Sequence, residues 1–177
     1  MVELSYQQQD SQQTLREAIE EYHRYLTHIG RKILSDSPDN AKTVWRNHDA
    51  THALFGHDTS IEGEATLDFW VLFGTDFSWQ VLREYQNIPE IKKLSRAIIT
   101  QLGVLFIPKL YWRNRRALWR VFRNSRQMTK KWPFEMPVES LDRTLADLRA
   151  EHGIKLLTPE QRKPSQATYF DYTIVST

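Results

Sequence analysis

Residues Trp45 to Glu64 read WRNHDATHALFGHDTSIEGE. On a helix, Asp49 lies about 100° and His52 about 40° round from His48, so two imidazoles and a carboxylate share one face. That is a partial metal site. Glu64 stands twelve residues beyond His52, roughly 18 Å along an unbroken helix, too far to share an ion. The chain must therefore turn between them. Gly56 is placed to end a first helix, His57-Asp58-Thr59-Ser60 is loop chemistry, and Gly63 permits the backbone geometry just ahead of Glu64. Glu64 then opens a second helix, folded back beside the first. The expectation is an all-α fold with a metal site of His48, Asp49, His52 and Glu64 between two antiparallel helices. His57 and Asp58 are candidates for supporting contacts or proton transfer at that site, with plain loop polarity as the alternative.

Working outward, the chain of 177 residues is long enough for one domain with an adequate core. It has no cysteine, which excludes disulfides, thiolate metal sites and cysteine catalysis. A metal must therefore take nitrogen and oxygen ligands. A divalent ion is expected, zinc first, with manganese, iron, cobalt or magnesium as alternatives. The N-terminus has no basic n-region or apolar core of a signal peptide, and no run reaches the ~18 apolar residues of a membrane span. The reading is a cytoplasmic protein, free or peripheral on a membrane surface.

Residues 1–13 and 158–177 are expected to be extended or flexible ends of a single domain spanning 1–177, the second end holding YFDYTIV. Thr14 and Glu17 form a capping box ahead of a helix reaching about Leu34. A break at Ser35–Asp39 precedes the helix that carries His48 and His52. The helix opened by Glu64 runs toward Tyr85, and its apolar Leu67–Phe77 stretch argues for a buried element. Another helix runs from about Glu90 to Ile107 and is bent or broken by Pro108. Met128–Pro137 reads as a connector. A last helix covers about Val138 to His152, with Gly153 as its C-terminal cap. The total is about five or six helices.

HD-x-x-H, eleven residues, then Glu, with glycines at positions 56 and 63, resembles the signature of a ubiquinone (coenzyme Q) biosynthesis family, the helical proteins numbered fourth in the coenzyme Q series. Ile107-Pro108 with Trp112, and Leu148-Arg149 with Gly153-Ile154, are similar to further parts of that family. The resemblance implies that His48, Asp49, His52 and Glu64 are the metal ligands and catalytic residues. It implies a polyprenyl lipid or prenylated quinone precursor as the bound molecule. The activity it implies is a lyase-type removal of the ring C1 carboxyl of a prenylated hydroxybenzoate, with hydroxylation at that carbon. Other quinone-biosynthesis proteins are the implied partners, with a homodimer left open.

Between Lys109 and Lys131 stand nine Lys or Arg and no acid. On a helical wheel Tyr111, Trp112, Leu118, Trp119 and Phe122 take one arc, and Arg113, Arg116, Arg120 and Arg123 the adjoining one. A solvated basic face is the bland reading. A helix seated among lipid headgroups through Trp112, Arg116, Trp119, Arg120, Phe122 and Arg123 is the functional one. Nucleic acid ranks last because no recognition module accompanies the patch. Two rivals to the quinone enzyme remain. One is an HD-type phosphohydrolase, which would recruit an upstream His (His23 or His28) and a downstream Asp (Asp68 or Asp76). The other is a non-catalytic scaffold that binds the lipid tail.

Overall fold

The computed structural model describes residues 4–31, 33, 39–78, 83 and 89–162, and the elements found among them are helical. They are α1 (Leu15–His28), α2 (Asp39–Phe55), α3 (Ile61–Gly74), α4 (Pro89–Leu102), α5 (Phe106–Arg126), α6 (Leu145–His152) and the single turn α7 (Pro159–Arg162), with 3-10 turns at Ser5–Gln7 and Val138–Asp142. The all-α expectation holds. The most extensive helix pairings are α1 with α2 and α3 with α5, and α2 and α3, joined by a short loop, also pack together as a hairpin.

α1 begins as its sequence dictates. Thr14 Oγ1 accepts from Glu17 N at 3.2 Å, and Glu17 Oε2 accepts from Thr14 N at 2.8 Å. Leu15, Ala18, Ile19, Tyr22 and Leu26, one stripe at helical spacing, are buried. The helix ends at His28 rather than near Leu34, because Gly30 takes the left-handed φ of +72° that unwinds it. The break around Ser35–Pro38 and the YFDYTIV tail lie outside the described residues.

Several boundaries differ from the sequence reading for clear reasons. The helix expected over Val138–His152 begins only at Leu145, because Thr144 caps it by accepting from Asp147 N at 3.1 Å, and Val138–Asp142 is a separate 3-10 turn. α3 starts at Ile61, not Glu64, because Ser60 caps it: Ser60 Oγ accepts from Gly63 N at 3.0 Å. It ends at Gly74, since Thr75 turns to extended backbone and Asp76 N donates to Trp132 O at 3.1 Å. Pro108 does not break a helix. The break is Gly103 at φ +80°, and Pro108 lies in the first turn of α5, where a missing N–H removes no intrahelical bond.

The Met128–Pro137 segment is more than a connector, because Trp132, Phe134 and Met136 are buried within it. The N-terminal segment is likewise tied down from residue 4, where flexibility was expected. Tyr6 is fully buried, and its phenol donates to the His57 carbonyl at 3.2 Å. A buried guanidinium explains why. Arg149 on α6 donates to the carbonyls of Leu54 (2.8 Å), Ala53 (2.9 Å), Tyr6 (2.6 Å) and Gln8 (2.5 Å). It thereby satisfies carbonyls at the end of α2 that have no partner within the helix, and clips the N-terminal segment to them. Arg162 adds bonds to Gln7 O (2.9 Å) and Gly56 O (3.0 Å). The helix that carries His48 and His52 is thus anchored at its C-terminal end.

Candidate metal centre

The α2–α3 hairpin makes the site. α2 brings His48 and His52 to one face, and Gly56 at φ +69° reverses the chain. Asp58 Oδ1 accepts from Ser60 N at 3.0 Å and Ser60 Oγ at 2.6 Å, fixing the loop that caps α3. Gly63 has a role different from the one expected. Its backbone is helical, but a Cβ there would lie 2.3 Å from Asp58 Oδ1 and 2.6 Å from Asp58 O. Only glycine lets the loop pack this closely, and Glu64 follows at once.

His48 Nε2 and His52 Nε2 stand 3.5 and 3.4 Å from Glu64 Oε2. The three ligand atoms all lie within 4.8 Å of one another, so His48, His52 and Glu64 could hold a metal ion. The spacing suits that better than hydrogen bonding. Ligands held tetrahedrally about 2.0–2.1 Å from zinc are about 3.3–3.4 Å apart, whereas a strong N–H···O bond is about 2.9 Å. Orientation agrees. His52 Nδ1 lies 3.2 Å from the His57 carbonyl, which can only accept, so in the neutral ring Nδ1 carries the proton and Nε2 its lone pair. That Nε2 is buried and has no hydrogen-bond partner, as an ion ligand would be. Tyr22 of α1 stacks on the His52 ring with centroids 4.8 Å apart, leaving it little freedom.

The charges are tightly coupled. Burial disfavours a charged His48, but the carboxylates of Asp49 and Glu64 prevail and lift its imidazole to about 10. Burial alone would raise the Glu64 carboxyl, yet His52 and His48 hold it well below the ordinary carboxylate range. A metal entering this site must displace the His48 proton, so affinity falls with acid.

Asp49 stands apart from the group of three. Its Oδ2 lies 2.8 Å from His23 Nε2, and its Oδ1 lies 3.6 Å from His48 Nδ1, the ring nitrogen that does not face Glu64. His57 supports the site through its backbone carbonyl. Its ring, pushed down to about 3 by burial and then by the charges of His52 and Arg162, stays neutral near Thr66 Oγ1 at 3.3 Å. Asp58 serves the loop.

One residue near the site carries a signal that spacing alone left ambiguous. Asp68 lies one turn beyond Glu64 on α3, facing Tyr111 OH across 3.5 Å. Burial and then the charge of Glu64 raise its carboxyl to about 6. Its i+4 relation to Glu64 is the trace it leaves in the sequence.

On α5, Leu110, Asn114, Leu118, Val121 and Ser125 face the core. Leu118 thus leaves the expected aromatic arc. Phe122 is half-buried against Phe73 at 5.0 Å, while Trp112 and Trp119 are 70% and 60% exposed. Arg116, Arg120 and Arg123 share that outward side, and Arg113 reaches Glu62 at 3.6 Å.

No family model, curated protein or solved structure matches this chain.

Proposed function

We propose that the protein is a metal-dependent component of prenylquinone biosynthesis, acting on a prenylated hydroxybenzoate-type ring at a membrane surface. The observation that carries the reading is the convergence of His48 Nε2, His52 Nε2 and Glu64 Oε2 at the mouth of the α2–α3 hairpin. A divalent ion there supplies Lewis acidity for the oxygens of an aromatic acid. Three protein ligands leave coordination positions open, the arrangement of catalytic rather than structural sites. The overall change is loss of the ring C1 carboxyl as carbon dioxide with hydroxylation at that carbon, an oxidation that consumes dioxygen or an equivalent oxidant. Asp68, poised near neutrality beside Tyr111, can hold or release a proton close to the ring.

The surroundings suit a molecule with a polar head and an apolar tail. Glu64, Asp68 and Leu72 follow one another at i, i+4 and i+8 along α3, and Leu72 is exposed. Val104, Leu105, Ile107, Trp112 and Trp119 are exposed too, with Arg116, Arg120 and Arg123 among the cations beside the tryptophans. This is the composition of a helix seated at anionic headgroups. Among the described residues, no helix is long and apolar enough to cross a membrane. The phosphohydrolase reading finds its upstream His in His23, 2.8 Å from Asp49, but is weaker because the atoms that converge are those of His48, His52 and Glu64, without the downstream Asp68 it would need.

Purified wild type and His52→Ala, compared by elemental analysis, test the ion: metal in the first and none in the second is expected, and equal content overturns the site. Long- and short-tailed ring acids offered to metal-loaded wild type and Glu64→Gln test the chemistry. Release of carbon dioxide by wild type alone, faster with the long tail, is expected. Inert wild type that retains metal and prenyl lipid replaces the enzyme with a lipid-binding scaffold.

A further inference from the structure

His48 and His52 are turned the same way. Each turns Nε2 toward Glu64 and Nδ1 away from it: His52 Nδ1 lies 3.2 Å from the His57 carbonyl, and His48 Nδ1 faces Asp49 Oδ1 across 3.6 Å, an ion-pair contact longer than a hydrogen bond. Asp49 does not stand free to leave that position. Its other oxygen is 2.8 Å from Nε2 of His23, which α1 presents from the opposite side, and its carboxylate is buried. The two nitrogens of an imidazole point in widely divergent directions. A carboxylate lying against Nδ1 is therefore out of reach of an ion on Nε2 unless it gives up both neighbours.

We infer that Asp49 orients His48 from outside the coordination sphere instead of binding the ion, and that His23 on α1 is the positioning residue that holds Asp49 there. The inference rests on the metal reading of His48, His52 and Glu64. A carboxylate facing Nδ1 favours the proton on that nitrogen, which leaves the Nε2 lone pair for the ion and raises its basicity. Charge follows from the arrangement. Two neutral imidazoles and Glu64 leave a divalent ion with a net charge of about +1, where a bound Asp49 would cancel it. The site therefore keeps both an open position and the positive charge that an anionic aromatic acid needs. It also makes α1, through His23, part of the site's support.

The test is titration of metal-stripped protein with zinc, followed calorimetrically, for wild type, His52→Ala, Asp49→Asn, His23→Ala, His23→Gln and Asp49→Asn/His23→Ala. Helical content and unfolding midpoints of the metal-free variants are measured alongside, to keep folding losses apart from affinity losses. His52→Ala should not bind. Asp49→Asn and His23→Ala should each bind about 10- to 100-fold more weakly than wild type, the usual effect of losing an outer partner of a ligand. The double variant should be no weaker than Asp49→Asn, because the two residues act as one unit. His23→Gln, whose amide can still donate to Asp49, should recover much of the loss. The visible bands of the cobalt-loaded protein should be the same in Asp49→Asn as in wild type. Loss of zinc in Asp49→Asn as complete as in His52→Ala, or cobalt bands that report a lost ligand, makes Asp49 a ligand and overturns the inference. Unaltered affinity in His23→Ala overturns the part given to His23. A wild type that binds no zinc removes the metal reading and the inference with it.

Discussion

Replacing Arg149 by Met keeps an unbranched apolar stem and deletes the guanidinium, which makes it the most informative single perturbation of this fold. The head donates to the buried carbonyls of Tyr6, Ala53 and Leu54, and to the more open carbonyl of Gln8. Water can replace the bond to Gln8 but not the other three. A buried carbonyl left without a donor costs about 1–3 kcal/mol, so the gross loss is roughly 3–9 kcal/mol. Against it stands the desolvation of a cation that is 1% exposed, recovered when the charge is removed. Burial and then Arg162 lower this guanidinium to about 9, which leaves it charged at neutral pH, so the recovery is genuine. The expected net loss is about 3–5 kcal/mol, a midpoint drop of about 10 °C for a chain of this length. Urea unfolding of metal-free protein, followed by circular dichroism, measures it. Arg149→Lys should recover only part, since an ammonium cannot span carbonyls on two segments as the planar fork does. If Arg149→Met lies within about 1 kcal/mol of wild type, desolvation cancels these bonds and the clamp argument fails.

Further outcomes follow from the same contacts. Gly63→Ala should improve helix propensity by about 1 kcal/mol yet destabilise the protein and weaken zinc binding, because its Cβ meets Asp58 at 2.3 Å; a stabilised variant with full zinc affinity would refute this. Asp68 carries a carboxyl raised to about 6, so its contribution to stability is present below its unfolded value near 4 and is lost as pH rises through 6. Metal-free Asp68→Asn should thus match wild type at pH 4 and exceed it at pH 7.5 in urea unfolding, by less than ~1 kcal/mol because the carboxyl, though crowded by its neighbours, keeps contact with solvent; a gain that does not grow with pH sinks the assignment. Vesicles containing anionic lipid should retain the protein at low salt, release it as salt rises, and retain Arg116→Glu/Arg120→Glu far less, each arginine contributing on the order of 1 kcal/mol. Salt-insensitive flotation, or none, would leave α5 with an ordinary solvated face.

Much of the site was legible in one stretch because helical periodicity is a strong constraint. The i, i+4 spacing of His48 and His52, and the need to turn before Glu64, specify a hairpin whatever surrounds it. Boundaries were less legible, since they depend on local caps that compete. Pro108 reads equally as a breaker or as a first-turn residue, and Gly103 with a left-handed φ decided between them. The N-terminal segment looked disordered because its composition is polar. It is held by an arginine more than 140 positions away, a pairing that no local pattern announces.

Asp49 shows where periodicity stops informing function. A residue adjacent to a ligand on a helix lies about 100° round from it, near enough to share a site and far enough to face a neighbouring helix. Which of the two applies is settled by what that neighbour carries. α1 carries His23, and the 2.8 Å contact draws Asp49 to it. The C-terminal positions that resemble the ubiquinone family have a different basis again. Leu148 and Ile154 are buried, Arg149 anchors the end of α2, and Gly153 caps α6 at φ +67°, where a Cβ would lie 2.9 Å from Thr129 N. Each of these residues is required by the fold, and none touches the candidate metal ligands in the contacts described. The likeness at those positions is accounted for by folding requirements alone, and the proposed chemistry stands on His48, His52 and Glu64.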